Sequence, residues 1–193
     1  YYERARALKG LRDEELLELA RQDIVKAYQL APDNADVILE YARFSIDEQD
    51  TSNAQLLLQT GLQLHPDNGT FYYLLATIAI EEENFKRAME LVTEGMERSP
   101  DTVELLWKRA ELHLVDNEID KVREAIEEMR AKNFDRVWCD YMEARIFLKE
   151  EKWLPAVKLL EDVRPQLVIR QPRLAIRVDS QLSTCFSNLK MWD

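Results

Sequence analysis

Three prolines stand 34 residues apart, at Pro32, Pro66 and Pro100, and two further residue types keep the same interval. Asp33, Asp67, Asp101 and Asp135 form one series, and Ala42, Ala76, Ala110 and Ala144 form another. A self-similar unit of this length cannot bury its own apolar face, so it must stack on copies of itself. With 4 Gly and 6 Pro in 193 residues, the chain is too poor in turn formers for an all-β array. Its hydrophobic fraction of 46% is ample for a continuous core.

The clearest units are 35–68, 69–102 and 103–136, with a fourth beginning at Val137. Each reads as two amphipathic helices, a short connection, and a turn into the next unit. In the unit 69–102 the pattern predicts a helix over Phe71 to Glu82, a bend at Asn84 and Phe85, and a second helix over Lys86 to Arg98. Ser99-Pro100-Asp101-Thr102 stops that helix, because proline cannot continue it, and Asp101 or Thr102 can cap the next one. The pairs Ala42/Ala54, Ala76/Ala88 and Ala144/Ala156 lie 12 residues apart, where small side chains let two helices approach; Ala110/Val122 is a looser version. A further small position, Ala27, Gly61 and Gly95, precedes each proline by five residues and is expected to admit the next unit's helix. Met129 and Val163 occupy it later.

These positions together resemble the tetratricopeptide repeat (TPR) family, whose 34-residue unit carries small residues at positions 8 and 27, Ala at 20 and Pro at 32. Ala20, Ala27 and Pro32 fit the second half of a first unit, whereas the stretch before Gly10 fits poorly. The resemblance implies an all-α, right-handed superhelical solenoid of roughly eleven helices: about five hairpins and an unpaired C-terminal helix. The expected repeats are 1–34, 35–68, 69–102, 103–136 and 137–175, with a partial sixth over 176–193, all in a single array 1–193. About five extra residues fall around Pro165 to Pro172, and Trp192 stands where Phe85 and Trp153 stand in earlier units. An unpaired first helix would expose an apolar face, so the chain reads as a piece of a longer array.

A net charge of −11 repels phosphate backbones and anionic lipid, which argues against nucleic-acid binding and membrane docking. No apolar run approaches the roughly 20 residues that span a bilayer. Arg164 to Arg177 departs from the acidic balance, with four Arg and no acid, and reads as a solvated linker face or as a patch for an acidic partner. Cys139 and Cys185 lack metal or redox spacing, and His65 and His113 fall in different repeats, so no metal site or cofactor is expected. Two unpaired thiols favour a reducing, cytoplasmic setting. No nucleophile–base set, Gly-rich phosphate loop or HExxH motif occurs, and runs such as Glu81-Glu82-Glu83 read as solvated helix ends. The expected role is therefore not enzymatic.

In TPR arrays the first helix of each unit lines a concave side. On a helical wheel, position 5 (Leu39, Tyr73, Trp107, Tyr141) and position 12 (Ile46, Ile80, Leu114, Leu148) lie on one edge of the apolar stripe. Positions 2, 6, 9 and 13 are predicted to face outward. They hold Asp36, Glu40, Arg43 and Asp47, then Thr70, Thr77 and Glu81, then Glu104, Lys108 and Glu111, and finally Trp138, Met142, Arg145 and Lys149. The expected groove has an aromatic edge and an acidic floor that turns apolar and basic in the fifth unit. Tyr73, Trp107, Trp138 and Tyr141 are the candidate apolar contacts. Glu104 and Glu111 would pair a basic ligand, and Arg43 and Arg145 would orient polar groups. Arg109, Asp140 and Glu143 stand at usual core positions, and if they stay wet, Trp107 and Tyr141 roll into the core instead. The family's clamp for carboxylate-ended chaperone tails needs Lys at position 5 and Asn at position 9, and this chain has neither there. The expected function is a scaffold holding a peptide segment of a partner with basic and apolar residues. Self-assembly, or service as the regulatory arm of a larger enzyme, is the alternative.

Overall fold

The computed structural model describes residues 1–9 and 14–190. Gly10 and Trp192, named above, lie outside them. Among the described residues there are eleven α-helices and no strand. They are α1 (Tyr2–Lys9), α2 (Glu14–Leu30), α3 (Ala35–Asp47), α4 (Thr51–Leu64), α5 (Gly69–Glu81), α6 (Phe85–Arg98), α7 (Val103–Val115), α8 (Ile119–Ala131), α9 (Arg136–Lys149), α10 (Trp153–Arg170) and α11 (Pro172–Leu189). The helix pairs α1/α2, α3/α4, α5/α6, α9/α10 and α10/α11 pack on one another. The chain divides into two compact units, Tyr1–Leu105 and Leu106–Asp193, with the division inside α7.

The bend inside each repeat has a backbone cause. Gln49, Glu83, Asn117 and Glu151 adopt left-handed φ values of 57–63° and stand 34 residues apart. Around each, the helix ends in the same pair of bonds. In the second repeat Gln49 N–H donates to Ile46 C=O and Asp50 N–H to Ser45 C=O; in the third, Glu83 donates to Ile80 and Asn84 to Ala79. This is the Schellman termination, which satisfies the orphan carbonyls of the finished helix. The residue after it starts the next helix at once. Asp50 and Asn84 cap α4 and α6 by accepting from the N–H of Asn53 and Arg87. Between repeats the cap is the residue after the Pro-Asp pair: Asn34 accepts from Val37 N–H and Asn68 from Thr70 N–H.

Small residues set the hairpin spacing as the period predicts. Ala42, Ala54, Ala76, Ala88, Ala110, Val122, Ala144 and Ala156 are all fully buried. A Cβ on Gly61 would lie 2.2 Å from the Phe71 ring of α5, and one on Gly95 2.7 Å from Tyr72 Cβ and 2.9 Å from Leu105 on α7. Backbone therefore packs directly on the neighbouring helices at both glycines.

The first hairpin forms despite its weak motif. Ala5 and Ala20 are both buried in one cluster with Ile24, Ala27, Val37 and Phe44. Asp23 is only 3% exposed, and the Arg4 guanidinium pairs with it. A buried carboxylate needs such a partner, so the ion pair fixes how α1 lies on α2.

The C-terminal part corrects two expectations. The extra residues near Pro165 do not form a linker: α10 runs through Pro165 to Arg170, and α11 starts at Pro172. Pro165 and Glu161, whose carbonyl loses its usual donor, are both exposed, so water can serve that oxygen. Pro172 suits a first helical position because its fixed φ is already helical. The arginine-rich stretch is thus helical, and it is partly neutralised: Arg164 pairs with Asp179 and Arg170 with Asp135. The second expectation concerned the last helix. α11 buries Ala175, Val178, Leu182 and Cys185, while Asp179, Ser180, Ser183, Thr184 and Asn188 are polar and lie off that stripe beside exposed Ile176. Its outer face is therefore largely polar rather than apolar.

Candidate functional site

Within the second unit, first helices α7 and α9 bring five of the candidate residues together: Trp107, Glu111, Trp138, Tyr141 and Arg145. Trp107 meets Trp138 edge to face, with ring centroids 5.4 Å apart, and stacks on Tyr141 at 6.2 Å and 17°. Both tryptophans are half-buried, whereas Tyr141 is 1% exposed and sits in the core with Val137, Ala144 and Ala156. The buried Tyr141 ring thus backs Trp107, which in turn meets Trp138, and both indoles still reach solvent. Burial pushes the Tyr141 phenol above its ordinary value.

A charged chain runs alongside. Lys108 Nζ lies 2.9 Å from Glu111 Oε2, and Arg145 Nη1 lies 3.3 Å from Glu111 Oε1. Arg145 also reaches the Tyr141 ring, 5.9 Å from its centroid. Glu111 is therefore clasped by two cations of its own chain. Glu111 and Arg145 stand 34 residues apart, so opposite charges one period apart were the sequence signal for this bridge.

The wheel misplaces position 6. Met142 is 0% exposed, Lys108 7% and Glu40 8%, where an outward face was expected. The repeats turn this position against protein: Met142 Sδ lies 3.8 Å from Arg145, and the Lys108 stem is covered while its ammonium reaches Glu111. Arg109, Asp140 and Glu143, at usual core positions, remain charged and paired. Arg109 meets Glu128, and Arg130 holds Glu143 at 2.6 Å and Asp140 at 3.7 Å. These ion pairs take the place of apolar packing against α8, and Tyr141 lies in the core as that pattern implies.

In the first unit, Arg43 is exposed and lies 3.7 Å from Glu40. Tyr73 is half-buried, and Glu104, at the start of α7, is exposed. Ties between successive repeats that the sequence reading missed join positions 27 residues apart: Arg21 with Glu48, Gln55 with Glu82 at 2.9 Å, and Arg123 with Glu150 at 2.7 Å.

The chemistry of the remaining groups is quiet. Among the described residues no three His, Cys, Asp or Glu side chains gather as a metal site would require. Cys139 and Cys185 are buried, and burial raises both thiols, which disfavours the reactive thiolate. No helix among the described residues is long and apolar enough to cross a membrane.

The comparisons with known proteins agree with the repeat geometry. A model of the TPR domain of cytochrome c-type biogenesis protein H matches residues 12–101. The chain has the tetratricopeptide repeat fold. Solved TPR structures share its fold. TTC0263, a TPR protein of Thermus thermophilus, is 14% identical with a TM-score of 0.73, over 94% of this chain and 99% of that one. PilF of Pseudomonas aeruginosa is 16% identical, TM-score 0.66, over 98% and 90% of the two chains. YrrB, described as a TPR protein with an unusual peptide-binding site, is 19% identical, TM-score 0.52, over 91% and 88%. No curated protein matches the chain in sequence.

Proposed function

We propose that this chain holds a peptide segment of a partner against its first helices, with the Trp107–Trp138 pair as the main anchor. The observation that carries this reading is the arrangement of that pair: two half-buried indoles in edge-to-face contact, one of them stacked on a buried tyrosine. Rigid aromatic surface of this kind gives up much area to a ligand at small entropic cost, and tryptophan, tyrosine and arginine dominate interface energetics. Because Lys108 and Arg145 already satisfy Glu111, the feature recognised here is apolar or aromatic rather than basic. Arg43, Tyr73 and exposed Glu104 belong to the first unit and lie outside the site proposed here. Position 5 and position 9 residues differ from those of the carboxylate clamp, so chaperone-tail ends are not its ligands. YrrB, a fold neighbour described by its peptide-binding site, makes the same class of ligand reasonable here.

The test uses peptides selected from a displayed library against the full chain, with affinities measured by calorimetry. Trp138→Ala is expected to weaken binding at least ten-fold, about 1.4 kcal/mol or more. Selected peptides whose affinity is unchanged by both Trp138→Ala and Trp107→Ala would reject the site.

A further inference from the structure

A second surface, on other helices, has its own recognition chemistry. Between α4 and α6 lies a cavity of about 450 Å³, within the size range of ligand sites. Its floor is apolar: Leu75 and Leu91 are almost fully buried and Leu62 is half-buried. Its rim on α4 is a row of three amides, Gln55, Gln59 and Gln63. Gln55 Nε2 already donates to Glu82 Oε1 at 2.9 Å and closes one end, while Gln59 and Gln63 are exposed. Glu82 and Arg87 carry opposite charges at the rim, so the lining has no net charge on a chain of −11.

The repeat itself does not require these glutamines. One period on, the same positions hold Met89, Thr93 and Glu97, and two periods on they hold Arg123, Glu127 and Ala131. The row therefore belongs to α4 alone among the repeats compared. Residues four apart on a helix are separated by about 6 Å along its axis. Every second residue of an extended chain is separated by about 6.7 Å. A carboxamide presents a donor and an acceptor side by side, which matches the N–H and C=O of one residue in an extended chain, since both point to the same edge.

The geometry points to a second binding site, in which an extended, uncharged segment of a partner protein lies along α4. The N–H and C=O of alternate residues pair with the Gln59 and Gln63 carboxamides, and an apolar side chain between them enters the floor at Leu62 and Leu91. The site does not depend on the tryptophan cluster.

The probe is an array of acetylated, amidated nonapeptides with a central Leu, Val or Met between Ser, Thr and Ala, titrated into the full chain and followed by NMR. Shifts are expected at the Gln59 and Gln63 side-chain amides and at the Leu62 and Leu91 methyls. The double variant Q59A/Q63A should weaken the best peptide at least ten-fold, with circular dichroism unchanged because both residues are exposed. N-methylation of that peptide at alternate residues should abolish binding in one register and spare it in the other, and Trp107→Ala should leave it intact. The proposal is overturned if no peptide moves those resonances, if Q59A/Q63A binds as the parent does, or if both methylation registers are tolerated.

Discussion

At the scale of single residues, the backbone carries a signal that side-chain patterns conceal. Gln49, Glu83, Asn117 and Glu151 are non-glycine residues in the left-handed region, each at the bend between the two helices of its repeat. That conformation costs an L-residue roughly 1 kcal/mol, and glycine is the residue that tolerates it. Glu83→Gly is therefore expected to stabilise the chain by about 0.5–1 kcal/mol in urea titration, less whatever the freer unfolded chain takes back. A loss of stability would mean that Glu83 does more than end α5. Gly95 makes the opposite case. A methyl there would lie 2.7 Å from Tyr72 Cβ, an atom tied to backbone, so Gly95→Ala should destabilise by about 1–3 kcal/mol. This should exceed the helix-propensity gain of up to about 1 kcal/mol. Were the variant more stable than the parent, close packing at this glycine would be disproved.

At the scale of the element, α1 shows how one charge can dock a helix whose motif is poor. The Arg4 hydrogen bond, foremost, holds the Asp23 carboxyl below its ordinary range. A lowered folded value means that the contribution is complete above the unfolded value of about 3.9 and disappears as pH falls through the folded one. Amide exchange in α1 should therefore accelerate as pH is lowered from about 5 toward about 2, after correction for intrinsic rates, more than in α5 or α6. Asp23→Asn should flatten that pH dependence; an unchanged profile would assign it to other carboxylates. The period could not reveal this pair, because Arg4 and Asp23 lie at unrelated positions of the repeat. By contrast, the limits of α5 and α6 were legible to within two residues, since Pro66, Pro100 and the asparagine cap mark them directly.

At the scale of the molecule, the most extensive packing is between consecutive helices, so a fault in one hairpin should stay close to it. Ala144 is fully buried where α9 meets α10. Ala144→Leu overfills that seam at a cost of about 1–3 kcal/mol. Hydrogen exchange should show lost protection in α9, α10 and α11 while α2 to α4 keep theirs. A uniform loss across all helices would show instead that the chain unfolds as one cooperative body.

The amino-acid order alone determined the repeat, its helices and their caps. These depend on contacts within one unit or with its neighbour, and the same small residues recur at each one. Tertiary structure alone decided which polar groups are spent inside. Wheel geometry placed Glu111 and Met142 on an open face, but whether a face is open depends on what the adjacent helix brings to it. Here α9 brought Arg145 to Glu111, and the packing around α9 left its own Met142 fully buried. The row of glutamines on α4 was likewise visible as letters, and it became a surface only when α5 and α6 supplied the floor beneath it.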